Sequence, residues 1–269
     1  MLVEKSRRAQ AVWNAVHFEI LDSGFARLGR EWNEAHLRPP FSRLYYITRG
    51  AGRVRSGGEE MDLLPGQAYL LPAGLSIQYE CPREMDQLYF HISVRTSDGY
   101  DLFSRCQTIL AHPAGDPLDA RKEDYLSEDY LRLSLLQCQI KGEVCRFIAE
   151  AGLEKWLFVP RSPFLEQVFS FVQSHLRSSL TVGDVAGGLA LSESALSKRF
   201  RREFGIPLGR YMDEMLVREI GHLLAVSSLT IGEIADQLGF CDQFYLARFF
   251  RAREGITPSE YRARLREQV

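Results

Sequence analysis

The sequence predicts a two-domain α+β chain: short strands forming a β-sandwich or barrel, a helical segment behind them, and an all-α C-terminal half built on two helix-turn-helix units. Three observations lead there. The 269 residues exceed one ordinary core at about 100 to 200 residues per domain. From Phe41 to Val94, short apolar runs alternate with Gly and Pro, the punctuation of closely spaced strands. In the second half, Ser179–Tyr211 and Ser228–Tyr261 repeat one another. The expected boundaries are 1–155 for the first domain, 156–163 for a linker marked by Pro160 and Pro163, and 164–269 for the second domain.

Composition narrows the class. Hydrophobic residues at 45% and charged residues at 25%, with 11 Pro and 21 Gly, exclude global disorder and collagen-like repeats. No run approaches the roughly 18 apolar residues of a membrane-spanning helix, so no membrane partner is expected. Lys5, Arg7 and Arg8 have no apolar stretch behind them, which argues against a secretory leader and for the cytoplasm. Five cysteines (Cys81, Cys106, Cys138, Cys145 and Cys241) lack any C-x-x-C spacing and fit reduced thiols better than a disulfide framework or zinc site. The net charge of −2 gives no hint of a nucleic-acid partner, but it hides local basic runs at Lys198–Arg202 and Arg248–Arg253.

Each repeat opens with a helix-start signature. Thr181 followed by Asp184, and Thr230 followed by Glu233, have capping-box spacing, with Leu180/Val185 and Leu229/Ile234 placed for a hydrophobic staple. A short helix then runs to Leu189 or Leu238, breaks, and restarts after Ser192 or Cys241-Asp242. Gly205 and Gly255 suit left-handed caps at the ends of the restarted helices. Two short helices across a tight turn make a helix-turn-helix.

The restarted helices have two faces. Leu196, Phe200 and Phe204 recur at inward spacing in the first, as do Leu246 and Phe250 in the second. Ser194, Ser197, Lys198 and Arg201 fall on the opposite side of the first helix, and Gln243, Ala247, Arg248 and Arg251 on that of the second. Exposed Arg and Gln are the residue types that pair bidentately with guanine and adenine in a major groove, whereas a lone face of this kind is often only a solvated surface. Duplication after the same start signal favours DNA. Between the units, apolar residues from Leu208 to Val226 recur at helical spacing, and a strut of that length spans about 28 Å, near the roughly 34 Å of one DNA turn. Thr257-Pro258-Ser259-Glu260 starts a last helix with Pro at its first position and Glu260 completing a capping box.

On these motifs Ser162 to Arg266, and above all IADQLGF-CDQFYLARFFRAREGITPSEYR, resembles the DNA-binding domain of the AraC/XylS family of transcription regulators. The resemblance implies base reading from Ser194, Ser197 and Lys198 in the first unit and from Gln243, Phe244, Ala247 and Arg248 in the second. Arg201 and Arg251 are expected on phosphates. The stretches RPPFSRLYYITRGAGRV and LLPGQAYLLPAGLSIQY resemble the cupin-like β-barrel that often precedes this domain and senses sugars or other small metabolites.

A metal-dependent cupin enzyme is the rival for this half, and it needs clustered His and carboxylate ligands. The six histidines never form H-x-H, Ile77 stands where cupin metal sites often carry His, and no P-loop, H-E-x-x-H, G-x-S-x-G or dinucleotide motif occurs. No metal, cofactor or catalytic residue is expected. Trp32, His36, Arg38, Tyr79 and His91 are the candidate effector-binding residues, Arg38 foremost because its fork of donors suits a carboxylate or sugar. Glu123 to Gly152 reads as helical, with a stripe of Leu133, Leu136, Ile140, Val144, Phe147 and Ile148 that either packs on the β-domain or, as often in this family, forms a dimer interface. Cys241, beside a predicted helix start, is either a redox thiol or a small buried residue of the turn.

The expectation is therefore a cytoplasmic, sequence-specific activator with double-stranded DNA, a small-molecule effector, RNA polymerase and a second copy of itself as partners. The alternatives are a cupin metalloenzyme with an appended DNA-binding module, and a constitutive regulator whose β-domain only dimerises.

Overall fold

The computed structural model of the chain describes residues 17–33, 38–114, 118–157 and 161–267. Its contacts divide it into two compact units, one mainly from Met1–Arg95 and Asp101–Phe158, the other from Thr96–Tyr100 and Val159–Leu265. Among the described residues of the first, eight strands run in order: β1 (His17–Leu28), β2 (Ser42–Gly50), β3 (Gly52–Ser56), β4 (Glu59–Leu63), β5 (Gln67–Leu71), β6 (Gln78–Glu80), β7 (Met85–Arg95) and β8 (Leu110–Pro113). They form an antiparallel five-stranded sheet, β1-β7-β2-β5-β8, and a three-stranded sheet, β4-β3-β6.

Of the expected β-sandwich or barrel, the described residues form the two-sheet arrangement, without closure into one continuous barrel. Among the described residues β4 and β6 pair only with β3, so hydrogen bonds there do not carry the small sheet round to the large one. Side-chain alternation along β2 and β7 sorts the apolar residues onto two faces. Tyr45, Ile47 and Tyr89 meet Val54, Leu63 and Tyr79 of the small sheet in one core, whereas Leu44, Tyr46, Leu88 and Phe90 form another with the helices that follow.

Those helices are α1 (Leu118–Tyr125), α2 (Tyr130–Glu150) and α3 (Glu154–Leu157). The single helix expected over Glu123–Gly152 is interrupted, because Asp129 turns extended and caps α2 by accepting from the Leu131 N–H at 2.8 Å. Leu136, Ile140, Val144, Phe147 and Ile148 of the predicted stripe are buried on the large sheet, which settles that stripe as packing within the domain. Leu133 is only half-buried.

The second unit holds α4 (Pro163–Ser174), α5 (Val182–Gly188), α6 (Glu193–Phe204), α7 (Leu208–Val226), α8 (Ile231–Gln237), α9 (Gln243–Glu254) and α10 (Pro258–Glu267). The strut bounds and the caps match the sequence reading. Thr181 and Thr230 each form the reciprocal capping box, with Asp184 and Glu233 accepting from the Thr backbone N–H at 2.8 and 2.7 Å. Gly205 and Gly255 end α6 and α9 at φ of 94° and 81°. Thr257 and Glu260 repeat the box at the start of α10. Phe164, Val168, Phe169 and Val172 of α4 pack with Val185, Leu196, Phe200 and Tyr211 into the core of the first helix-turn-helix. Arg161 and Asp98, 2.5 Å apart, form a buried ion pair in this unit.

Candidate DNA-reading faces and effector interior

The helix-turn-helix geometry presents two outward faces. Ser194, Ser197, Lys198 and Arg201 are all exposed on α6, opposite the fully buried Leu196 and Phe200. On α9, Gln243, Arg248 and Arg251 are exposed and Ala247 is half-buried, opposite the buried Leu246 and Phe250. Phe244 is 69% and Tyr245 45% exposed. Tyr245 was not among the predicted residues; its place two positions after Gln243, on the same helix start, was the available signal.

Charge distribution separates free from engaged cations. Arg199 is held by Glu203 at 2.8 Å and Arg253 by Asp213 at 2.6 Å, which ties those side chains to the scaffold. Lys198, Arg201, Arg248 and Arg251 make no ion pair within 4 Å among the described residues, although the Arg248 charge acts on the Asp242 carboxylate, so these side chains are not tied to the scaffold by direct pairing. Arg248 lies 5.9 Å from the centre of the Tyr245 ring. Asp242 caps α9 by accepting from the Tyr245 N–H at 2.7 Å, and its carboxyl is held below the usual range chiefly by that bond. Cys241 is exposed rather than buried, its thiol 3.6 Å from the Asp242 carboxylate.

The second candidate site lies between the two sheets of the first unit. Register places Arg43 opposite His91, Tyr45 opposite Tyr89, and Ile47 opposite Gln87, all turned to the face that meets β6. Arg43 and Gln87 are fully buried, and the Arg43 guanidinium sits 5.3 Å from the Tyr79 ring centre. Trp32 packs against Tyr79 at 4.8 Å and Tyr45 at 6.4 Å. Among the described residues, Trp32 Nε1, the Tyr45 and Tyr79 hydroxyls, both polar atoms of the Gln87 amide, and His91 Nε2 are buried with no hydrogen-bond partner. A buried polar atom without a partner costs about 1–3 kcal/mol, so a cluster of them is an unusual thing to place in a core.

Burial, with the Arg43 charge beside it, pushes the His91 pKa down to about 3, so the imidazole is neutral and able to accept or donate. Burial likewise pushes the Tyr45 phenol up to about 12. Of the predicted effector residues, Trp32, Tyr79 and His91 are therefore buried on this interior, whereas Arg38 is exposed and does not join them. His36 lies outside the described residues. Arg43, Tyr45 and Gln87, buried on the same interior, were not among the predicted residues. The signal was present as the alternation Arg43-Tyr45-Ile47, but a strand pattern alone does not say which of its two faces meets the second sheet.

Comparison with known proteins adds the following. A helix-turn-helix domain family model matches residues 185–264, and the AraC-like ligand binding domain matches residues 26–134. The chain is 26% identical over 239 residues to the Msm operon regulatory protein of Streptococcus mutans, covering 81% of this chain and 83% of that one. It is 25% identical to the arabinose operon regulatory protein of Escherichia coli, covering 82% and 80%, and 21% identical to the lactose operon transcription activator of Staphylococcus xylosus, covering 94% and 96%. Among solved structures, ToxT of Vibrio cholerae shares the fold with a TM-score of 0.52 at 15% identity, over 93% of this chain and 98% of that one.

Proposed function

Because the chain belongs to the AraC/XylS family of transcription regulators, we propose that it is a cytoplasmic activator that reads DNA through α6 and α9 and answers to a sugar held between its two sheets. The observation that carries the effector reading is the cluster of partnerless polar atoms on Trp32, Tyr45, Tyr79, Gln87 and His91. A polyhydroxylated ligand supplies donors and acceptors at many points at once, and the aromatic faces of Trp32 and Tyr79 suit the C–H side of a sugar ring. Relatives named for arabinose and lactose operons favour the same class. In this reading Arg43 supplies the fixed fork of donors first sought at Arg38.

The DNA roles follow residue types. Arg248 and Gln243 are assigned to base edges, Phe244 to a thymine methyl group, and Arg201 and Arg251 to phosphates, while Ser194, Ser197 and Lys198 make the shorter-reaching contacts of the first unit and Ala247 makes room for close approach. We assign the chain no catalytic step.

The dimerisation role moves to a face that the buried stripe leaves outside. Leu131, Leu135, Cys138, Gly142 and Cys145 of α2 recur at alternating spacings of four and three, all exposed, with Leu131 66% and Leu135 56% accessible. That is the spacing of a helix-pairing seam, and it supports a homodimer through α2. Effector binding then acts by shifting the population of dimers competent to grip DNA and engage RNA polymerase.

Isothermal titration of the full chain with a panel of mono- and disaccharides, paired with DNA binding at fixed salt, tests the proposal. A sugar that binds wild-type protein, is lost in Gln87→Leu and changes DNA affinity supports it. Sugars that neither bind nor alter DNA affinity, dimerisation or transcription overturn it.

A further inference from the structure

The helical unit contains a cleft of about 540 Å³, and of its lining residues only Arg248 has a functional role described so far. Its floor is apolar, made by Leu180, Met212, Leu216, Phe240 and Phe249. Its rim is cationic, with Arg177, Arg248 and Arg253. Asp213 pairs with Arg253 at 2.6 Å and the Arg248 charge also acts on the nearby Asp242 carboxylate, while Arg177 makes no ion pair among the described residues, so the lining holds three arginines against one aspartate. The walls are fixed to one another: the Ser178 N–H donates to the Leu238 carbonyl at 2.8 Å, and the Ser178 hydroxyl donates to the Gly239 carbonyl.

The volume falls in the range of small-molecule sites, about 300–1,000 Å³, which occur between the helices of bundles. The pairing of floor and rim selects the ligand. A DNA phosphate would gain from the arginines but nothing from the aromatic and aliphatic floor, whereas a molecule with an apolar body and one anionic end satisfies both. Arg248 and Tyr245 belong at once to this cleft and to the outward surface of α9. We propose that the cleft binds an amphipathic organic anion, a carboxylate or sulfonate on an aromatic or aliphatic body, and that its occupant draws Arg248 away from DNA. The chain thus carries a second small-molecule site, inside the DNA-binding unit and antagonistic to DNA, independent of the interior between the sheets. Only the antagonism rests on α9 being a DNA-contacting helix; the site itself does not.

Gly209 offers a clean block, because it lines the cleft and a Cβ added there meets nothing within 4 Å. The test is fluorescence titration of the full chain with 8-anilinonaphthalene-1-sulfonate, first without DNA, for wild type, Arg177→Gln and Gly209→Phe, with circular dichroism to confirm that each variant folds. The expected result is at least tenfold weaker probe binding in both variants. Equal binding in all three proteins overturns the site. In a second arm, a duplex enriched by binding to the chain is titrated into probe-loaded protein. The expected result is displacement of the probe, with DNA binding by Gly209→Phe retained and insensitive to it. Probe and duplex held together at unchanged affinities overturn the antagonism while leaving the first arm to decide the site.

Discussion

The turn of the first helix-turn-helix holds Ala190 at φ +54°, and the turn of the second holds Gly239 at φ +70°. Around them the backbone bonds correspond: Leu191 N–H to the Ala186 carbonyl and Phe240 N–H to the Ala235 carbonyl, both at 2.9 Å. The capping boxes, the left-handed end caps and the buried Phe200 and Phe250 correspond as well. The outward faces do not. Where α6 turns out Ser194 and Ser197, α9 turns out Gln243, Phe244 and Tyr245, and where α6 carries the flexible Lys198, α9 carries the forked Arg248. One scaffold has been kept twice while its reading surface has diverged, so the two halves of a bound site need not be read with equal stringency.

Four sets of changes break or sharpen that comparison. The largest effect is expected in the scaffold itself: Phe200→Ala and Phe250→Ala should each cost about 3–5 kcal/mol in urea unfolding, since both rings are fully buried. A difference between them beyond about 2 kcal/mol would mean the two cores are not equivalent. On DNA, Arg248→Ala should cost about 1–3 kcal/mol on a selected site and relax its sequence preference. Ser197→Ala should change affinity several-fold less, and Arg251→Ala should weaken selected and random duplexes alike while reducing the salt slope. Equal loss on both duplexes for Arg248→Ala would place it on phosphate instead.

Smaller effects are expected in the turns. Ala190→Gly relieves a left-handed backbone that costs an L residue about 1–2 kcal/mol, partly offset by the entropy of glycine, so thermal melting should show no loss or a small gain. Gly239→Ala should show a loss of about 1 kcal/mol. The smallest effect concerns pH. Hydrogen bonds from Thr181 and Thr230 hold the Asp184 and Glu233 carboxyls below their ordinary values. Their folded pKa values are depressed, so the stabilisation is present above the unfolded carboxylate range and fades as pH falls through the lowered values. Thr181→Ala and Thr230→Ala should both flatten the acid limb of a melting-temperature profile, and an effect in only one would separate the two starts.

How much was legible follows the same division. The helical half could be read closely because its information is local: caps, left-handed glycines and a run from Leu208 to Val226 fix element bounds without reference to distant residues. The β half could be read only as strands. Whether Arg43 or Arg38 enters the interior depends on the pairing of β2 with β7 and on the face that meets β6, which are long-range facts. The choice between sandwich and barrel stayed open for the same reason, since strand spacing says nothing about which edges bond. The break before α2 was readable in principle from Asp129, an ordinary cap residue, but the apolar stripe running through it masked the signal. The exposed seam at Leu131, Leu135 and Cys138 lies on the other side of the same helix, where cysteines and a glycine follow the two leucines and leave a weaker apolar pattern than the stripe.

The most direct measurement is selection of DNA fragments by the purified full chain at physiological salt, with and without the sugar identified by titration. Two helix-turn-helices of unequal reading power predict a bipartite motif whose segments lie about one turn, or roughly 10 base pairs, apart, with sharper base preference in the segment that Arg248→Ala relaxes. A motif of one segment, two segments of equal sharpness, or binding blind to sequence would contradict the account.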